Sequence, residues 1–244
     1  MARGTMSISH TAYEVLWERA ELGAMPASIA IHYPLRTLAN GATLAREAFT
    51  ELAASGLAED TEPHPELIAA LRRLARAPRR YALMIITRDH PHGEGSLLAI
   101  DDPAAVLATL DEEHLHIRSL SIDIAIPTLL AELPAAPPGQ GKSLVFHEDE
   151  LSADGHVQPR GEQDSILVPP NTVATQADSY LHLMRRPRRR LSYLYRPVRQ
   201  PIVIVDLESR GRWLVHNDNG WITTAPGTDG NLTDLLCVRP EDTH

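Results

Sequence analysis

Several segments of the chain have the apolar pattern typical of helices. In the clearest ones, apolar residues recur every three or four positions. Gly56 suits a helix C-terminus, because glycine readily adopts the left-handed conformation found there, and Pro65 suits a first helical turn. Pro127 is predicted in the first turn of a shorter helix. The predicted helices are 10–22, 43–57, 64–76, 126–134, 172–186 and the closing segment NLTDLLC.

Between these helices the apolar residues form short runs that are typical of strands. The connections are short and polar, which predicts antiparallel pairing between neighbours. The runs ALMII and PIVIV have no polar face, as expected of central strands covered on both sides. A further strand is predicted to begin at SLVF. The other predicted strands are 27–33, 80–88, 95–101, 104–110, 114–120, 189–195, 201–208, 212–216 and 221–225.

The order helix, four strands, helix occurs twice, at about 64–133 and 172–237. We therefore predict an α+β fold in which two quasi-symmetric halves share a central, mainly antiparallel sheet flanked by helices. The whole chain, 1–244, is predicted to be one domain. Its first half is about 10–134, its connector about 135–171 and its second half about 172–237.

The composition of the chain argues against several classes of function. The 244 residues carry a formal net charge of −9, which argues against a general DNA or anionic-membrane binder. The single cysteine, Cys237, rules out a disulfide framework within one chain and suits a reducing compartment. The N-terminus lacks the apolar core of a signal peptide, so we expect a cytoplasmic protein. Met6 is an alternative start, and whether residues 1–5 are native stays open.

The segment RDHPHGE contains four residues of metal-ligand type: Asp89, His90, His92 and Glu94. They could coordinate a cation, and one hypothesis is therefore a metal-dependent enzyme. The alternative is a polar hairpin loop, because no H-x-x-x-H helix or C-x-x-C pair accompanies them. The segment APPGQGKS lacks the first glycine of a phosphate loop and stands between a helix and a strand, the reverse of the required order. No G-x-S-x-G nucleophile motif is present.

The segment RRPRRRLSYLYRP has the strongest local concentration of charge in the sequence. Six arginines lie between Arg185 and Arg196, and Tyr193 and Tyr195 follow at strand spacing. Arginines beside aromatic rings could stack on single-stranded nucleic acid. The alternative is a basic helix C-terminus that runs into a strand, or a basic patch that docks an acidic protein. A continuous arginine stripe would favour the nucleic-acid hypothesis.

The segment GRWLVHNDNGWITTAP predicts a hairpin, since Asn219-Gly220 suits a type I′ turn. In that hairpin Trp213, Val215, Ile222 and Thr224 share one face. Leu214, His216, Trp221 and Thr223 share the other face. The two tryptophans therefore cannot form one stacking platform, and we interpret His216 as a packing residue, not a catalytic one.

The chain resembles the EspG family of type VII (ESX) secretion in actinobacteria. The matching segments are EVLW, HPELIAALRRLARAPRRYALMI, GSLLAIDDPAAVLATLDEEHLHIRSL, LLAELPAAPPGQGKSLVF and GRWLVHNDNGWITTAP. The resemblance implies an α+β fold of two halves and a cytosolic, non-enzymatic chaperone without a cofactor. Such a chaperone binds the helical tip of the PPE subunit in a PE–PPE heterodimer, keeps it soluble and helps to direct it to secretion.

The resemblance also suggests where a partner binds, namely on the sheet, on the C-terminal helical part and on a loop between early strands. In this chain that loop is expected at Asp89–Ser96. No residue-level motif carries over from the family, so the expected contact residues are hypotheses, and a homodimer is a further possibility. The expected contact residues are Asp89, His90, His92, Glu94, Arg189, Tyr193, Tyr195 and Trp221.

Overall fold

The structure, a computed structural model, describes residues 4–31, 41–90, 93–151, 175–197 and 199–237. Contacts divide the chain into two compact units, Met1–Ile85 with His92–Leu133 and Ile86–Pro91 with Pro134–His244. No helix in the described ranges is long and apolar enough to cross a membrane.

Five of the described strands of the first unit are hydrogen-bonded in the order β1-β7-β6-β5-β4, and all neighbours are antiparallel. Helices α1 to α3 pack on one face of these strands, and α4 packs on the other. The strands are β1 (Met6–Ser9), β4 (Arg79–Thr87), β5 (Glu94–Asp101), β6 (Ala104–Leu110) and β7 (His114–Ser121), with a small hairpin of β2 (Ala58–Glu59) and β3 (Glu62–Pro63). The helices are α1 (His10–Arg19), α2 (Gly41–Ala54), α3 (Pro65–Arg76) and α4 (Ile122–Leu130), with a 3-10 turn at Ala27–Ile29.

The second unit repeats this arrangement with the order β9-β10-β11-β12-β8, again antiparallel. In both units a strand from earlier in the chain is added beside the last strand of the meander. The strands are β8 (Leu144–His147), β9 (Arg188–Arg196), β10 (Arg199–Leu207), β11 (Gly211–Asp218) and β12 (Trp221–Pro226). The helices are α5 (Gln176–Met184) and α6 (Asp229–Cys237), with a 3-10 turn at Glu148–Glu150.

The α+β fold class and the twofold repetition of helix, four strands and helix are confirmed. The two repeats run from α3 to α4 and from α5 to α6. Gly56 follows α2 with a φ of 70°, and the Leu57 amide donates to the Leu52 carbonyl, as in a glycine-terminated helix. The predicted limits of the halves, about 10–134 and 172–237, stay a prediction. Most of the connector at 135–171 lies outside the described residues.

The predicted strand at 27–33 is wrong in its described part. Ala27–Ile29 forms a 3-10 turn, and the adjacent residues Ser28 and Ile29 are both buried, whereas a strand would send them to opposite sides. This turn packs against β5 and β6 at Gly95, which has no side chain to keep the Ser28 carbonyl away. The apolar alternation in ASIAI is compatible with a strand and with a 3-10 turn, and the contact with Gly95 determines that the turn forms.

Two further elements differ from their predictions. Strand β1 was not predicted, although Ile8 is completely buried and pairs with Leu115. Helix α4 begins at Ile122, four residues earlier than predicted, so Pro127 lies inside it and not in its first turn. Proline has no amide hydrogen, so the Asp123 carbonyl loses its usual helical donor. Sequence patterns placed both elements near the correct residues but not at their ends.

The described start of the connector is tied to β11 by backbone hydrogen bonds. The Arg212 amide donates to the Pro137 carbonyl, and the Gly139 amide donates to the Arg212 carbonyl, both at 2.7 Å. The Arg212 side chain donates to the Pro134 carbonyl at 2.6 Å and to both oxygens of Asp206 at 2.7 and 2.9 Å. This buried ion pair fixes the connector against the second unit.

Candidate functional site

The loop between β4 and β5 spans residues 88–93, so it is shorter than the predicted Asp89–Ser96, and Glu94 already belongs to β5. Asp89 and Glu94 are exposed, while His90 is half-buried. The His90 amide donates to Thr87 Oγ1 at 3.1 Å, and the Thr87 amide donates to the His90 carbonyl at 3.4 Å. These bonds form a turn directly after β4, and the Asp89 side chain is exposed to solvent. His92 lies outside the described residues.

Two more histidines, His114 and His116, share one face of β7. His116 Nε2 lies 2.7 Å from a carboxylate oxygen of Asp111. Partial burial raises the pKa of that carboxyl, but hydrogen bonds from the Glu113 amide, His116 and the His114 amide outweigh it, so the pKa falls to about 2. Within the described part of the chain, no group of three or more histidine, cysteine, aspartate or glutamate residues is arranged to hold a metal ion.

The arginine segment does not form a continuous stripe. Arg188 donates to the Met184 carbonyl at the end of α5, which stabilises the helix terminus. Arg190 donates to Asp206 at 2.8 Å, and Arg196 donates to the Leu235 and Gln200 carbonyls, both at 2.9 Å. Arg189 is exposed. Three of the six guanidinium groups thus donate to acceptors within the fold, which interrupts the stripe that the nucleic-acid hypothesis needs.

Tyr193 and Tyr195 lie on one face of β9 and are here called the tyrosine surface. Arg189 lies at an irregularity of the strand, where the pairing with β10 shifts, so the register does not assign it to this face. The two rings stack with centroids 6.3 Å apart and an interplanar angle of 29°. Tyr195 is 42% exposed, which is unusual for a large apolar side chain in this protein. Stacked tyrosines offer flat apolar area together with hydroxyl groups that can hydrogen-bond. Such residues are typical of protein interfaces.

The predicted hairpin is confirmed in its turn and in its faces. Asn219 and Gly220 have φ angles of 51° and 85°, as a type I′ turn requires. Val215 pairs with Thr224, and His216 pairs with Thr223. Trp213 lies on the same face as the tyrosine surface. It is 3% exposed and packs with Leu183 and Met184 of α5.

Trp221 lies on the opposite face of the second-unit strands and is 51% exposed. The register carries this assignment across the strands, because Tyr193 pairs with Val203, which pairs with Val215. The structure therefore does not bring Trp221 together with Tyr193 and Tyr195. The sequence prediction grouped these residues by their chemical type. The strand register is needed to assign a strand residue to one face or the other.

His216 shares the face of Trp221 but lies deeper. Burial lowers its pKa, and the nearby charge of Arg196 lowers it further, which outweighs the opposite effect of Asp218. The ring is therefore neutral at neutral pH. Its role in packing stays a prediction. The side chain of Cys237 lies outside the described residues.

Two comparisons with known proteins bear on the identity of the chain. Residues 9–237 match the sequence model of the EspG family. The solved structure of the Mycobacterium tuberculosis type VII secretion system chaperone EspG5 in complex with a PE25–PPE41 dimer contains a chain of the same fold. The TM-score is 0.61 at 8% sequence identity, and the match covers 99% of this chain and 100% of that chain. No curated protein sequence is significantly similar. Because the family match extends over almost the whole sequence, the chain belongs to the EspG family.

Proposed function

We propose that this chain is a cytosolic chaperone of a type VII secretion system. It binds the helical tip of the PPE subunit in a PE–PPE heterodimer, keeps the dimer soluble and helps to direct it to the secretion machinery. The observation that carries this proposal is the EspG family match over residues 9–237. The shared fold with EspG5, which was solved with a PE25–PPE41 dimer, supports it. In this proposal the chain acts by binding and not by catalysis.

The physical requirements of such a chaperone are modest. An apolar helical tip exposed to water promotes aggregation. A protein that covers the tip stabilises the soluble state by mass action. It needs about 800 Å² of surface on each partner, and it does not need a catalytic pocket.

Two places on this chain are proposed to contact the PPE subunit. One is the tyrosine surface, because tyrosine is enriched among the residues that dominate binding energies, and Tyr195 is already exposed. The other is the loop at 88–93, where Asp89 is exposed, together with the neighbouring Glu94. The loop adds negative charge that would orient a partner during approach.

Reversing the charges of the loop tests its part in binding. The double variant Asp89→Lys, Glu94→Lys is expected to weaken binding to the cognate PE–PPE dimer roughly tenfold, because charge complementarity is lost. Isothermal titration calorimetry measures the affinity, and circular dichroism checks that the melting temperature is unchanged.

A matched control is Glu112→Lys with Glu113→Lys, at the exposed turn between β6 and β7. It changes the net charge by the same amount and should leave the affinity as in the native protein. If the loop variant and this control bind equally well, the loop does not touch the partner.

A further inference from the structure

The second unit has a second exposed aromatic surface, formed by Trp221 of β12 with Val145 and His147 of β8; we call it the Trp221 surface. Trp221 pairs with His147 and Thr223 pairs with Val145, so these side chains share one face. Trp221 is 51% exposed and Val145 is 45% exposed. The other two tryptophans, Trp17 and Trp213, are each 3% exposed. Large apolar side chains left in water at one place indicate a binding surface.

The Trp221 surface is held in place before any partner arrives. The Glu148 amide donates to the Gly220 carbonyl at 2.8 Å, and the Asn217 side chain donates to Glu148 at 2.6 Å. The His147 ring meets the Trp221 ring edge to face, with centroids 5.3 Å apart. These contacts tie the hairpin tip to the 3-10 turn after β8. A preorganised surface loses little conformational entropy on binding.

A partner cannot join this surface by adding a strand to β8. The Val145 amide, which faces away from β12, donates to Gln176 Oε1 at 2.6 Å. The His147 amide, on the same side, donates to Glu150 Oε1 at 3.4 Å. Both donors of the outer edge are therefore occupied by side chains of the same chain. The partner must be recognised by the side chains of the face.

The charges around Trp221 are mainly acidic. Three acidic residues in succession, Glu148–Glu150, follow β8 directly. The Asp149 side chain is 86% exposed, and one of its carboxylate oxygens lies 3.2 Å from His147 Nδ1. Two arginines, Arg196 and Arg199, lie beyond the hairpin tip and line a 380 Å³ pocket with Glu148, Asn217–Gly220 and Gln200. Arg196 already donates to the Leu235 and Gln200 carbonyls. Asp149 contacts the His147 ring, which in turn contacts the exposed indole ring, so a carboxylate and an aromatic face are near each other and together attract a cation.

We propose that the Trp221 surface binds a segment of a partner protein that presents an arginine or lysine next to an aliphatic side chain. The cation lies over the indole ring and pairs with Asp149, and the aliphatic side chain contacts Val145. This contact lies on the opposite face of the strands from the tyrosine surface. It does not depend on the PE–PPE contact proposed above.

Fluorescence anisotropy of a labelled peptide tests the proposal. The probe is fluorescein-labelled Leu-Arg-Leu-Arg-Leu-Arg-Leu amide, and the control peptide carries citrulline, a neutral analogue of the same shape, in place of arginine. We expect saturable binding of the arginine peptide and at least roughly tenfold weaker binding of the citrulline peptide. Trp221→Ala should weaken the arginine peptide by a similar factor. Ile124→Ala, at an exposed apolar side chain of the first unit, should not change its affinity.

Three results would overturn the proposal. The first is no saturable binding up to about 1 mM peptide. The second is equal binding of both peptides, or equal losses in Trp221→Ala and Ile124→Ala, because either would indicate unspecific attraction to an acidic protein. The third is concentration-dependent sedimentation of the free protein that Trp221→Ala abolishes, which would assign the surface to a second copy of this chain.

Discussion

Replacing Asp206 by alanine is expected to lower the free energy of unfolding by about 3–5 kcal/mol. The Asp206 side chain is 5% exposed, and its two oxygens accept hydrogen bonds from Arg212 and Arg190 at 2.7 to 2.9 Å. Alanine would leave both guanidinium groups inside the protein without their counter-ion. Chemical denaturation followed by circular dichroism measures the loss.

The matched control for Asp206 is Glu208→Gln, which removes a carboxylate from an exposed position two residues further along. A surface substitution of this kind should change stability by no more than about 0.5 kcal/mol. A loss below about 1 kcal/mol for Asp206→Ala would mean that the two arginines find water or other acceptors, and that the ion pair does not hold the connector in place.

The second large effect is expected for Gly95→Ala, with a loss of about 3 kcal/mol or more. A methyl group at Gly95 would lie 1.6 Å from the Ser28 carbonyl oxygen. This neighbour is backbone and cannot turn aside as a side chain would. Either the 3-10 turn at Ala27–Ile29 separates from β5 or the strand itself shifts. Thermal unfolding should show the loss as a clearly lower melting temperature.

The control for Gly95 is Gly230→Ala in the first turn of α6. The nearest atom to a methyl group there is 3.9 Å away, so nothing clashes. Alanine in a helix should maintain or slightly raise the stability, by about 0.4–1 kcal/mol. If both variants were equally stable, the close approach of Ser28 to β5 would be disproved.

The repeated order of elements could be predicted because it depends on local patterns. Strand runs such as PIVIV, the Asn219-Gly220 turn and Pro65 at a helix start each act within a few residues. The prediction of a strand at 27–33 is wrong because the conformation of this segment depends on a contact with Gly95, which is distant in the sequence. Where a sequence pattern fits two conformations equally well, tertiary contacts determine which of the two forms.

Prediction of the candidate site from the sequence has the same limit. Exposed aromatic and charged side chains could be selected from the sequence, but their arrangement required the strand register. Tyr195 and Trp221 were predicted in one contact set, and the register places them on opposite faces. The roles of Arg190 and Arg196 depend on acceptors at Asp206 and Leu235, which are distant in sequence. A single acidic residue at the end of the apolar run PIVIVD was the one available signal for the buried ion pair.

Co-expression with PE–PPE pairs encoded nearby, followed by size-exclusion chromatography with light scattering, tests the chaperone proposal most directly. The proposal predicts that this chain and a cognate PE–PPE dimer elute together as one complex. It also predicts that the dimer aggregates when this chain is omitted. Separate elution from every such pair, with the dimers soluble on their own, would contradict it.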